Sequence, residues 1–92
     1  MMTIWKEVLR PTDVQEIEMP IGSQVLCVRE QFETICIWFR CDPSLGRERR
    51  RFEMAGTGHP IPVGLGSTYL GTVSLKGGAL ILHVFEHVRA TT

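Results

Sequence analysis

Short apolar runs separated by polar punctuation make up this chain, and nowhere do apolar positions recur at the 3.6-residue period of a long amphipathic helix. Residues 3–9 (TIWKEVL) are rich in β-branched and aromatic side chains and give way to the turn residues Arg10-Pro11-Thr12-Asp13, so they read as a first strand. Residues 15–19 form a second segment, with Ile17 between Glu16 and Glu18, closed by Pro20-Ile21-Gly22. A helix starting at Thr12 or Asp13 competes for it, but about seven residues before a proline make only a marginal helix. Residues 23–32 (SQVLCVREQF) and 34–41 (TICIWFRC) are two strong strands with Arg29-Glu30-Gln31 and Glu33 between their apolar parts, which predicts a hairpin. The second run is apolar on both parities, Cys36 and Trp38 on one and Ile35, Ile37 and Phe39 on the other, as expected of a strand covered on both faces.

After the loop Asp42-Pro43-Ser44-Leu45-Gly46, residues 47–54 (RERRRFEM) read as the next strand. A period of two puts Arg47, Arg49, Arg51 and Glu53 on one face, with Arg50, Phe52 and Met54 on the other. Residues 67–75 and 79–88 are β-rich runs separated by Lys76-Gly77-Gly78, the clearest hairpin in the chain. Residues 89–92 are expected to fray. The pattern therefore predicts an all-β fold, a small antiparallel sandwich or barrel of six to seven short strands, in a single domain spanning residues 1–92.

Between the two halves lies Gly56-Thr57-Gly58-His59-Pro60-Ile61-Pro62, running on through Val63 into Gly64-Leu65-Gly66. Glycine permits backbone angles and close approaches that a side chain forbids, and proline stiffens the backbone around it, so the segment predicts one shaped, semi-rigid loop. It matches neither GxGxxG nor GxxxxGK[ST], and no helix comes after it, so neither nucleotide-loop motif applies.

Composition narrows the class. With 43% hydrophobic and 22% charged residues the chain is too apolar for a disordered tail and too interrupted for a membrane span, and no secretory leader is legible. Net charge is zero but unevenly placed: residues 1–46 carry four basic and seven acidic groups, residues 47–92 six basic and three acidic. A neutral protein is a poor binder of polymeric nucleic acid, whose affinity depends on neutralising many phosphates. The Arg47, Arg49, Arg50 and Arg51 cluster still allows a local anion site, because guanidinium groups hold phosphate or carboxylate bidentately. The alternative reading of the same cluster is a solvated strand face with charges paired to Glu48 and Glu53.

Cys27, Cys36 and Cys41 are odd in number, lack CxxC spacing and read as reduced core thiols. His83 and His87, four apart on a strand, would stand roughly 13 Å from each other and cannot share one ion. No metal, cofactor or catalytic constellation is therefore expected. His59 has three open roles: fixing its loop, contacting a ligand, or acting as a general base, the last without a legible orienting partner. Trp5, Trp38 and Tyr69 could pack in a core or interface, or stack on a planar ligand.

Ile4-Trp5, Met19-Pro20-x-Gly22, Cys36-x-Trp38, Asp42-Pro43, Gly56-Thr57-Gly58-His59-Pro60-Ile61-Pro62, Tyr69-x-Gly71-Thr72 and Gly77-Gly78-Ala79-Leu80-x-x-His83-Val84-Phe85 together resemble a family of small tailed-bacteriophage proteins of unknown function. The resemblance covers almost the whole chain, implies a phage origin and expression in the host cytoplasm, and carries no catalytic assignment. Two functions are expected from different classes. The first is a non-enzymatic sponge for a small anionic ligand, a cyclic nucleotide made by host defence. In it Gly56, Thr57, Gly58, His59, Arg49, Arg51 and Tyr69 would form the site, between subunits of a homo-oligomer. The second is an oligomeric protein-interaction or structural accessory module of the phage, whose apolar surplus forms an interface.

Overall fold

Seven strands form where the β-branched and aromatic runs lie in the computed structural model, which describes residues 1–61 and 67–87. They are β1 (Thr3–Leu9), β2 (Val14–Pro20), β3 (Gln24–Gln31), β4 (Thr34–Cys41), β5 (Arg47–Gly56), β6 (Ser67–Leu75) and β7 (Leu80–His87). A 3-10 turn, Lys76–Gly78, joins the last two. All pairings are antiparallel, in a three-stranded sheet of order β1-β4-β3 and a four-stranded sheet of order β2-β5-β7-β6. Of the two expected architectures, the sandwich is the one adopted. The segment at 14–20 is strand, not helix, and the expectations for residues 62–66 and 88–92 lie outside the described residues.

Small shifts in strand limits have local causes. Ser23 leaves β3 because its amide and hydroxyl both donate to the Pro20 carbonyl oxygen, closing the turn. The β3–β4 turn centres on Phe32 and Glu33, with φ of 52° and 62°, the left-handed geometry that suits the right-handed twist of a hairpin. Glu33 Oε1 then accepts from the Lys76 amide, tying this turn to the β6–β7 turn across the two sheets.

Period two decides what each sheet buries. The inner faces meet over Leu9, Val28, Ile35, Ile37, Phe39 and Cys41 from one sheet and Met19, Phe52, Met54, Val73, Leu75 and Val84 from the other. Gly71 brings β6 close to β3, for a Cβ there would lie 2.5 Å from Val28 Cγ1. Two expectations are corrected here. β4 is buried throughout only on its inner parity; on its outer parity Cys36 is buried while Trp38 is half-buried and Arg40 exposed. Cys27 is likewise half-exposed, so only Cys36 and Cys41 are core thiols.

Candidate functional site

The alternation that sends Phe52 and Met54 into the core sends Arg49, Arg51 and Glu53 to the outer face of the four-stranded sheet, while Arg47, at the start of β5, donates to the Pro43 and Leu45 carbonyls and lies over the Trp5 ring at 5.6 Å. Strand register then decides their neighbours. Arg51 is opposite Glu16 on β2 and His87 on β7, and His87 is opposite Ser67 on β6. In the next row Val14, Glu53, Phe85 and Tyr69 lie side by side, and beyond it Ala55, His83 and Thr72. Residues between 51 and 87 in sequence thus form one continuous outer surface.

Two hydrogen-bonded groups organise this surface. In the first, the Glu53 carboxylate is completely buried although it belongs to the outward parity. It accepts from Arg51 Nε at 3.1 Å and from Ser67 Oγ at 2.8 Å, so a buried charge is held by one cation and one hydroxyl. His87 Nδ1, beside Ser67 in register, is buried without a hydrogen-bond partner among the described residues. In the second, His83 uses both ring nitrogens: Nε2 bonds Thr57 Oγ1 at 2.7 Å and Nδ1 bonds Thr72 Oγ1 at 2.9 Å. Thr72 Oγ1 also bonds the Tyr69 hydroxyl at 2.5 Å. Tyr69 remains 58% exposed while its ring packs edge-on against Phe85 at 5.6 Å. The result is an exposed aromatic surface whose orientation is fixed from two sides.

The residues singled out from the sequence distribute unevenly over this surface. Thr57, Arg51 and Tyr69 share the outer face with their hydrogen-bonding partners. Arg49 stands on the same face of β5, 68% exposed, with a carboxylate oxygen of Glu16 at 3.8 Å. Gly56 ends β5, still in register with Leu82, so it belongs to the ladder before the loop begins. Gly58, at φ 85°, turns the chain, and the His59 amide donates to the Gly56 carbonyl at 3.0 Å. The His59 ring folds over Gly56, where an added Cβ would come within 3.3 Å of Nδ1.

His83, Thr72, Phe85, Ser67 and the burial of Glu53 were not anticipated as parts of one site. Parity along 79–88 already put His83, Phe85 and His87 together, but which strand lay beside them was a matter of register. Parity groups Arg50 with Phe52 and Met54, and its side chain points inward. There it donates to Glu86 through Nε and Nη2, and to the Ser23 carbonyl through Nη1 at 2.8 Å. The bond to Glu86 raises the Arg50 pKa above its ordinary value, and this cluster pins β5 to β7 and to the β2–β3 turn. Among the described residues no group of three or more His, Cys, Asp or Glu side chains could hold a metal ion. No helix among them is long and apolar enough to cross a membrane.

The chain belongs to a family described as a domain of unknown function (DUF7352), whose model matches residues 1–92. No curated protein and no solved structure matches it.

Proposed function

We propose that this chain is a phage-encoded, non-catalytic module that captures a small planar anion, of which a cyclic nucleotide is the leading class, on the outer face of β5, β7 and β6. In this reading it acts as a homo-oligomer in the cytoplasm of the infected host. The observation that carries the proposal is the pairing of an exposed, pre-oriented Tyr69 ring with Arg51 and Arg49 on one sheet face. A base needs a flat apolar surface, and Tyr69, held by Phe85 and Thr72, offers one at little conformational cost. A phosphate needs guanidinium donors; Arg51 donates Nε to Glu53, and its terminal nitrogens make no side-chain hydrogen bond to a described residue. Thr57, braced by His83, adds a hydroxyl at the margin of the same surface. Gly58 and His59 shape the turn that carries Thr57.

Capture without turnover suits the chemistry of the face. The two histidines stand in different groups, His83 between two threonine hydroxyls and His87 beside the Glu53 cluster, so neither forms a nucleophile–base pair with an orienting acid.

A thermal-shift screen of the purified protein against cyclic mono-, di- and trinucleotides and cyclic ADP-ribose isomers tests the proposal. A ligand that binds only the folded chain at 100 times its Kd adds about 2.7 kcal/mol, which in a domain of this size raises Tm by about 10 °C or more. Chromatography should return the ligand intact. Tyr69→Ala and Arg49→Ala should each reduce the shift measured from the variant's own unliganded Tm; that Tm stays at the wild-type value for the exposed Arg49 and falls for Tyr69, which gives up its contact with Phe85 and its bond to Thr72. No shift across the panel, or a ligand recovered cleaved, would sink the proposal.

A further inference from the structure

The second sheet face left open is the outer face of β1, β4 and β3, and its charge pattern differs from that of the rest of the molecule. Register places Ile4, Arg40 and Gln24 in one row, Lys6, Trp38 and Cys27 in the next, and Val8, Cys36 and Arg29 in the third. The bulge in β3 adds Leu26 opposite Trp38. The face therefore carries three basic residues and no acidic one, in a chain whose formal net charge is zero. Asp42, past the end of β4, is already occupied by the Met1 ammonium at 3.6 Å and by the Ser44 amide and hydroxyl. Lys6 reaches across to Gln31 on the far strand, at 2.7 Å. Arg29 and Arg40 are exposed and make no side-chain hydrogen bond or ion pair with any described residue. Between these cations Ile4 is 59%, Val8 49% and Leu26 47% exposed, beside the half-buried Trp38.

We infer that this face docks an acidic, apolar segment of a partner protein. Charge and surface type select that occupant. A second copy of the chain laid face to face would set Lys6, Arg29 and Arg40 against their own equivalents, and like charges brought together across an interface oppose association. A nucleic acid would satisfy the cations but would cover Ile4, Val8 and Leu26 with phosphate and sugar, leaving one half-buried indole for stacking. A protein segment carrying both carboxylates and aliphatic side chains satisfies the cations and covers the apolar positions together. Strand spacing of about 4.8 Å and a two-residue advance of about 6.7 Å put Lys6 and Arg40 roughly 8 Å apart at Cα, with Arg29 roughly 12–14 Å from both. Carboxylates one and two turns apart on a helix, separated by about 6 and 11 Å, can reach this triangle while leucines between them meet Ile4, Val8 and Leu26.

The test uses the intact protein and fluorescence anisotropy. The probes are a labelled amphipathic helical peptide bearing glutamate and leucine on one face, a glutamate–serine peptide of equal charge, and labelled oligo-dT. The expected result is that the glutamate–leucine peptide binds more tightly than the glutamate–serine one, weakens as salt rises, and loses about tenfold or more in affinity in the Arg29→Glu/Arg40→Glu variant. Because both arginines are exposed and make no ion pair with a described residue, the variant should melt at the wild-type temperature, so lost binding reports on the face and not on folding. Undiminished binding in that variant, equal affinity for the two peptides, or capture of oligo-dT in preference to both would each overturn the inference. None of these outcomes bears on the ligand surface of the opposite sheet.

Discussion

Replacing Arg51 by alanine should destabilise the protein far more than an exposed strand arginine would, and the reason is Glu53. The carboxylate has no solvent exposure and accepts two hydrogen bonds, from Arg51 Nε and Ser67 Oγ. Removing one partner of a buried ion pair typically costs about 3–5 kcal/mol, since it strands the other charge. Arg51 is itself about a third exposed, so water can enter the vacated space and Ser67 still donates. Screening on that side reduces the expected cost to about 2–3 kcal/mol. In a domain whose total stability is about 5–15 kcal/mol that is a large fraction. The decisive comparison is a double-mutant cycle with Glu53→Gln, which keeps the shape and removes the charge. Once residue 53 is neutral, Arg51→Ala should cost about 1 kcal/mol or less, a coupling of about 1–2 kcal/mol. Urea unfolding of the four proteins at neutral pH, followed by circular dichroism, measures each term. Costs that add to within about 0.5 kcal/mol, or an unmoved midpoint for Arg51→Ala, would refute the view that Arg51 supports a buried carboxylate. The outcome also governs ligand experiments: a binding defect in Arg51→Ala is interpretable only beside its loss of stability, which makes the exposed Arg49 the cleaner probe.

Gly71→Ala should cost about 1–3 kcal/mol, because its Cβ would lie 2.5 Å from Val28 Cγ1, and Val28→Ala in the same chain should recover part of that loss in a thermal melt. Phe32→Asn should raise Tm by a few degrees: Phe32 is 89% exposed at φ 52°, a conformation that asparagine adopts more readily, so the phenyl ring gives up no core packing. The hydroxyl and amide of Ser44 hold the Asp42 pKa below its ordinary 3.8, with the Met1 ammonium adding to the effect. A lowered folded-state pKa means a stabilisation present above the ordinary value and lost as pH falls through the lower one. The stability difference between wild type and Asp42→Asn should therefore be constant from neutral pH down to the ordinary carboxylate value and shrink below it, as acid titrations of both proteins would show.

What the sequence disclosed and what it withheld depend on the range of the interactions involved. Limits for β1, β4 and β6 are those that composition predicts, because β-branched and aromatic runs between turn residues are local signals. Parity is equally local, so the alternation along 47–54 assigned Arg47, Arg49, Arg51 and Glu53 to one face without knowledge of any neighbour. Register is not local. Nothing between residues 51 and 87 announces that β7 lies between β5 and β6, and without that order Tyr69 cannot be put beside Phe85, nor Ser67 within reach of Glu53. The same limitation explains why Glu53 read as a surface charge. Its parity is that of the solvent-facing residues, but the carboxylate is closed off from water beside Arg51 and Ser67, so its direction was legible and its burial was not. The three-stranded sheet shows the converse. Lys6, Arg29 and Arg40 are scattered over the acidic half of the sequence and look unremarkable there, until two antiparallel pairings gather them onto one face and leave Glu7 and Glu30 on the other parity. A charge balance counted along the chain thus carries the wrong sign for the surface that β1, β4 and β3 present, and partner selection at that face has to be argued from strand pairing.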